Sequence, residues 1–405
     1  MKKRILLVTQ YFYPESFKSN DIAFELVKKG YEVDALVSIP NYPAGEYYKG
    51  YGIFSKRIQL INGVRVYRAF QTPRGKKASG ISLSLNYLTY AFFASLWALV
   101  LCLFKKYDKI IVFETSPITQ ALPALVINKL KGTPIYIWVQ DLWPDAMKSG
   151  GGIKNETLLN IVDRFVKLVY RKSARIMISS KQFSELICLK GNFNEKIVYL
   201  PNWCDDILEM EKKQIPTMPE GFVIMMAGNL GTAQTIDSVM HVAVNLKDVD
   251  DVKWVFVGDG SRKEWLDKYI EDNKLQNTVF ALGRYPFDYM SAFFDAADAL
   301  LITLRAEFPH LRAVVPSRMQ SYMASGKPIL GMIDGGAAEI IAEADCGYCV
   351  EAENPKALEE IIRTKVLTSK ADFSKKGQNG RTYYEQYFMK DTGINNLINI
   401  LFDKV

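Results

Sequence analysis

Apolar residues fall along this chain in two alternating rhythms. A short apolar run at residues 4–9 stops near Tyr13-Pro14, helically spaced positions follow over about 19–29 up to Gly30, and a second run covers 31–38. Strand, loop, helix, strand is the opening of a doubly wound α/β unit. The pattern resumes with strands at 109–115, 134–141, 174–180 and 196–202, and helices at 117–131 and 157–172. A mixed-charge stretch with Pro216, Pro219 and Gly221 then breaks the rhythm, marking 206–221 as a linker. Beyond it, strands at 222–231, 253–261, 278–283, 299–304 and 328–333 leave room for helices between them. The last segment, 377–405, has Tyr384, Tyr387, Phe388, Ile394, Leu397, Ile398 and Leu401 at helical spacing. The pattern predicts two parallel-sheet α/β domains, 1–205 and 222–376, facing one cleft, with 377–405 returning to the first.

One segment fits neither rhythm. Ser84–Phe104 has no charge in 21 residues, and the uncharged run begins at Ala78. Its length suffices to cross a bilayer. A crossing would put strands 4–9 and 31–38 on the opposite side from 109–115 and 134–141, and only four residues, KKYD, separate Phe104 from the next strand. The segment is therefore expected to be a crossover helix, its rear half buried all round, its Tyr87, Tyr90, Phe93 and Trp97 side docked in a lipid interface.

A chain of 405 residues exceeds one ordinary core, which supports two domains. No repeat of fixed period is visible. The basic start MKKR precedes too few apolar residues for a signal peptide. Cys102, Cys188, Cys204, Cys346 and Cys349 are odd in number and scattered, as expected of reduced thiols in a cytoplasm. Cys346 and Cys349 form a C-x-x-C pair without a second pair or nearby histidine for zinc, and read as buried thiols at a strand end. Charge changes the picture more. Residues 1–200 hold 29 Lys and Arg against 14 Asp and Glu; residues 201–405 hold 22 against 30. A basic N-terminal half implies an anionic partner: a phosphorylated substrate, an anionic membrane or nucleic acid. With no basic run interleaved with stacking aromatics, nucleic acid is not expected.

Ligands of open α/β sheets sit at the carboxyl ends of strands, which selects four loops. Gly228-Asn229-Leu-Gly231 has two glycines that let a backbone approach a phosphate, or simply make a tight turn. Gly258-Asp259-Gly260-Ser261 offers Asp259 or Ser261 as a helix cap. Val315-Pro-Ser317-Arg318 offers Ser317 as the cap of a helix, with Arg305, Glu307, His310 and Arg312 upstream; such a terminus with arginines around it suits a diphosphate. Gln140-Asp141-Leu-Trp143 ends a strand; Asp141 could contact a sugar and Trp143 stack on one, or the pair could be a capping aspartate and a core tryptophan.

Together DLWPD (141–145), PNYPAGEYYKGY (40–51), AGNLGTAQ (227–234), VGDGS (257–261) and PSRMQSYMASGKPI (316–329) resemble family-four glycosyltransferases, nearest the WbuB-like group of bacterial O-antigen and capsule enzymes. The resemblance spans essentially the whole chain. It implies the GT-B fold with two Rossmann-like domains, a nucleotide-sugar donor held mainly by the C-terminal one, retention of anomeric configuration, and neither metal nor cofactor. Asp248-Val-Asp250 reads as solvated charge rather than a metal motif.

Three departures stand out. Counting back from Gly326, the family's glutamate pair falls on Ala313 and Ser321, leaving Glu307 or His310 as substitutes for the first member. GNLGTAQ lacks a basic residue, so the diphosphate would fall to Arg312, Arg318 or Arg305. The N-terminal loop reads YPESFKSND instead of carrying a glycine pair, so Glu15, Ser16 and Lys18 would face the acceptor with side chains.

The implied donor set is Gly228, Asn229, Gly231, Gly258, Gly260, Arg284, Glu307, His310, Ser317 and Arg318. Glu15, Ser16, Lys18, Gln140 and Trp143 make up the acceptor set, and Asp141, Arg312 and Arg318 the catalytic set. The expected reaction moves a sugar, an N-acetylated amino or deoxyamino sugar, from a UDP-linked donor to a polyprenyl-diphosphate-linked saccharide. Arg74, Lys76 and Lys77, just ahead of the apolar segment, would help hold the protein peripherally on the cytoplasmic face of the membrane. The alternatives are a GT-B nucleotide-sugar epimerase and a non-catalytic nucleotide-sugar-binding subunit of a membrane assembly.

Overall fold

The structure is a computed structural model. It describes residues 2–76, 79–151, 153–307 and 309–402, without the side chains of 149–151; Lys77 of the expected basic loop lies outside them. The chain divides into two compact units. The first holds residues 1–179, 183–200 and 394–405, the second 180–182 and 201–393.

The first unit is built on eight strands: β1 Arg4–Val8, β2 Glu32–Ser38, β3 Ile58–Ile61, β4 Val64–Ala69, β5 Lys109–Glu114, β6 Ile135–Val139, β7 Ser173–Ile178 and β8 Ile197–Tyr199. Their order is β3-β4-β2-β1-β5-β6-β7-β8, and every pairing is parallel except β3 with β4. Central strands such as β6, IYIWV, are buried along their whole length, as parallel strands covered on both faces must be. The hairpin β3–β4 adds an element the apolar rhythm did not predict. Asn62 and Gly63 both adopt positive φ, and Ile61 pairs with Val64 across this two-residue turn. From Ile394 the chain rejoins this unit: Leu397 and Leu401 are fully buried and Phe402 stacks on Tyr31.

In the second unit the strands are β9 Phe222–Asn229, β10 Val252–Asp259, β11 Val279–Gly283, β12 Ala299–Thr303, β13 Ile329–Met332 and β14 Gly347–Val350. They form one parallel sheet in the order β11-β10-β9-β12-β13-β14. Apolar cores cover both faces, one around Met225, Phe293 and Tyr322, the other around Trp254, Ile236 and Leu266. Cys346 is fully buried just before β14 and Cys349 lies within it, and burial pushes their thiols up to about 12 and about 11.

The apolar segment is one helix, Gly80–Phe104, opened by a capping box between Ser79 and Ser82. It is long and apolar enough to cross a bilayer, yet only 33% of its most apolar window is buried. Asn86, Tyr90, Ala91, Ala94, Ala98, Leu101 and Cys102 face inward, the small residues allowing close packing on the Leu122–Lys131 helix. Ile81, Leu85, Leu88, Phe92, Leu96, Leu99 and Leu103 are exposed on the opposite side. This corrects the expected orientation. Tyr90 is fully buried, its hydroxyl 2.9 Å from the Thr9 carbonyl, and the rear half carries an open apolar stripe instead of being enclosed.

Candidate functional site

In the second unit the candidate residues gather at the carboxyl ends of β9, β10, β12 and β13. Gly228 has φ +118, and a Cβ there would lie 3.7 Å from the Arg318 guanidinium. Arg318 opens the Arg318–Ala324 helix and donates through Nη2 to the Asn229 carbonyl at 3.3 Å. Its Nη1 is buried without a hydrogen-bond partner, and it forms no ion pair among the described residues. The loop itself is fastened by Tyr322, whose hydroxyl accepts from the Ala227 amide at 2.9 Å, and by Gln234, whose Oε1 accepts from the Gly231 amide at 3.0 Å. A Cβ on Gly258 would stand 1.8 Å from the Gly228 carbonyl oxygen, and one on Gly260 2.5 Å from that of Leu230. These two glycines serve the approach of one loop to the other.

Several expectations change here. Ser317 precedes the helix, but its side chain makes no capping hydrogen bond. Neither Asp259 nor Ser261 caps the next helix; Arg262 occupies that position, and Asp259 accepts from its neighbour Gly260. His310 is buried, so it does not stand open to replace a glutamate. Arg312 is paired with Asp334 at 3.6 Å and donates to the Ala306 carbonyl at 3.0 Å; Arg305 lies 3.5 Å from Glu353. Arg284 is exposed beyond the edge strand β11. Glu307 is exposed and, with Arg312, Asp334, Glu351 and Glu353, lines a cavity of about 530 Å³. The structure thus separates an arginine with a vacant donor, beside glycines, from a carboxylate-lined cavity that can accept hydrogen bonds from hydroxyls.

In the first unit the candidates collect at the carboxyl ends of β1, β2, β5 and β6. Glu15 is buried, not turned outward: its carboxylate accepts from the amides of Asn41 (2.8 Å), Tyr42 (2.7 Å) and Phe12 (3.3 Å). Burial pushes its carboxyl up to about 7 against the pull of those amides. It fixes the two loops to each other instead of facing a ligand. Ser16 is exposed, and Lys18 is half-buried at the start of the Lys18–Lys28 helix. Asp141 accepts from the Ser116 hydroxyl at 2.7 Å, with Gln140 half-buried beside it. Trp143 is 8% exposed, too covered to be a stacking surface. Glu114, at the end of β5, was not singled out from the sequence. It is fully buried, neither oxygen makes a hydrogen bond of normal geometry, and burial and then the nearby Asp141 charge raise its carboxyl well above the usual range.

Two parallel-sheet α/β units of this kind define the GT-B class of fold. Residues 209–382, within the second unit, match the family model described as Glycosyl transferases group 1. The chain is 25% identical over 304 residues to the probable glycosyltransferase WbjE of Pseudomonas aeruginosa, covering 72% of this chain and 74% of that one. Among solved structures, Anabaena Alr3699/HepE in complex with UDP superposes with a TM-score of 0.68 at 16% identity over the full length of both chains. WaaG, a glycosyltransferase involved in lipopolysaccharide biosynthesis, superposes with a TM-score of 0.64 at 14% identity over 98% and 99%. The chain is homologous to bacterial glycosyltransferases.

Proposed function

We propose that this protein transfers a sugar, an N-acetylated amino or deoxyamino sugar, from a UDP-linked donor to a saccharide carried on a polyprenyl diphosphate. The step retains anomeric configuration, serves surface-polysaccharide synthesis and takes place at the cytoplasmic face of the membrane. The observation that carries this reading is the Arg318 site: a guanidinium with a buried, unpartnered Nη1, against Gly228 and Asn229 at the end of the first strand of the matched region. The diphosphate gains charge as it leaves, and a preorganised guanidinium in a partly dry site lowers the barrier to that charge. The carboxylates of the cavity lined by Glu307, Glu351 and Glu353 accept hydrogen bonds from sugar and ribose hydroxyls. UDP bound to HepE and the lipopolysaccharide role of WaaG support the same class of donor and product. The exposed stripe of the Gly80–Phe104 helix and the basic N-terminal half support a lipid-borne acceptor.

The test is UDP release from UDP-sugars with and without a polyprenyl-diphosphate saccharide. Acceptor-dependent release, lost in Arg318→Ala, is expected. Conversion of the UDP-sugar to an epimer without acceptor, or tight binding with no turnover, would replace this reading with one of its rivals.

A further inference from the structure

Arg74 lies in the first unit, six residues before the Gly80–Phe104 helix begins. Three tyrosine rings surround its guanidinium, with centroids 5.2 Å (Tyr11), 5.1 Å (Tyr42) and 5.7 Å (Tyr87) away. Nη2 donates to the hydroxyls of Tyr11 and, at 3.3 Å, Tyr87. Nε is buried without a partner, and Arg74 forms no ion pair among the described residues. The segment is held from below by Asn41, whose Oδ1 accepts from the Arg74 amide at 3.3 Å. A half-buried guanidinium given only neutral oxygens and ring faces has no counter-charge within ion-pair distance, and a partly desolvated cation of this kind favours an anion as its next partner.

What adjoins this cation decides which anion. Tyr87, which holds Arg74, belongs to the long helix, and Leu85 and Leu88 on either side of it are part of the exposed stripe. From Ile81 to Leu103 that stripe runs for about 33 Å at 1.5 Å per residue, with an apolar residue at every third or fourth position. Inorganic phosphate has no use for such a surface, and an acyl chain without a phosphate has no use for Arg74.

We propose that Arg74 and its tyrosines bind the terminal phosphate of a single-chain polyprenyl phosphate monoester, in preference to the phosphodiester of a diacyl lipid, with the chain lying along the exposed stripe of the Gly80–Phe104 helix. This deepens the acceptor side of the proposed function and rests on that reading, assigning the lipid phosphate to one residue and the lipid tail to one face.

The experiment measures binding of the full chain, without donor, to neutral phosphatidylcholine vesicles carrying either polyprenyl monophosphate or phosphatidylglycerol at matched charge density. The expected result is tighter binding to polyprenyl monophosphate, by about tenfold, abolished by Arg74→Gln and reproduced in part by Arg74→Lys. Equal binding to the two vesicle types means that general surface charge acts alone and overturns the inference, as does an undiminished preference in Arg74→Gln. Should Arg74→Gln melt early, Tyr87→Phe, which removes a hydroxyl from Nη2, serves the same comparison. UDP-sugar binding by the same preparations is read separately. Loss of the lipid preference with donor binding intact removes this inference alone. A chain that prefers polyprenyl phosphate but binds no UDP-sugar removes the donor reading and leaves this site standing.

Discussion

Arg318 and Arg74 sit in different units and share one condition: each has a buried guanidinium nitrogen without a partner, and neither is ion-paired among the described residues. Arg312 and Arg305 differ in being ion-paired, although Arg305 Nε is likewise buried without a hydrogen-bond partner. They lie close to Arg318 in the sequence and looked equally suited to a diphosphate, yet each faces a carboxylate, Asp334 or Glu353. An arginine facing a carboxylate has its charge answered already. One held by a carbonyl or by tyrosine hydroxyls is positioned without being neutralised, which leaves its charge available to a ligand. The two available arginines differ in what surrounds them: a glycine loop at Arg318, aromatic rings beside an apolar helix face at Arg74.

The strongest way to break this comparison is Gly258→Ala. The new Cβ collides with the Gly228 carbonyl, so the loop beneath Arg318 must move. A loss of about 3 kcal/mol or more in stability of the second unit is expected by calorimetry, along with UDP binding, while vesicle binding through the first unit persists. Next, Arg318→Ala is expected to weaken UDP binding about 100-fold by titration calorimetry, whereas Arg312→Ala changes it by less than about threefold. Equal losses in the two variants would erase the distinction between paired and unpaired arginines.

The third prediction concerns Glu15, which fixes the loop beside the Arg74 cage through the amides of Asn41 and Tyr42. Its folded pKa of about 7 lies above the ordinary carboxyl value, so the native state holds a proton that the unfolded chain has lost between about pH 4.5 and 7. This group's contribution is therefore fully present at acid pH and falls as pH rises through that window, with Arg68 moderating the loss. Thermal melts of Glu15→Gln should show a shallower decline from pH 5 to 7.5, by about 1–3 kcal/mol. The smallest effect is expected for Tyr322→Phe. It removes a buried hydroxyl from the Ala227 amide and should lower stability by about 1–2 kcal/mol, with a modest loss of UDP affinity.

The fold was legible in the chain because parallel strands buried on both faces announce themselves as unbroken apolar runs, and most of those runs are strands. The hairpin β3–β4 was missed although Asn62-Gly63 is a strong turn signal, because β3 is four residues long and largely exposed and the apolar run of β4 is interrupted by Arg65 and Arg68. β14 was missed because its four residues are only partly buried. The site was less legible. Periodicity shows that a helix has an apolar face but not which face the sheet covers, and of the aromatic side of Gly80–Phe104 Tyr90 is buried while Tyr87, Phe93 and Trp97 are half-buried. Charge type identifies an arginine but not its partner, so Arg312 and Arg318 looked alike. Glu15 read as an outward-facing acid because nothing local in YPESFKSND reveals that the Asn41 and Tyr42 amides converge on it from 26 and 27 residues away. Arg74 was noticed only as one charge in a basic loop; its cage comes from Tyr11, Tyr42 and Tyr87, which no short motif joins.

The return of the chain to the first unit at Ile394 has a consequence for synthesis. Residues 394–402 supply the fully buried Leu397 and Leu401 and the ring stacked on Tyr31. On the ribosome, the sheet that begins at Arg4 therefore waits for all of 201–393 to be made before its last apolar cover arrives. At about 5–20 residues per second that interval is about 10–40 s. Through it the N-terminal half carries both an open helix stripe and an uncovered patch near Tyr31, a period in which a chaperone can hold the nascent chain.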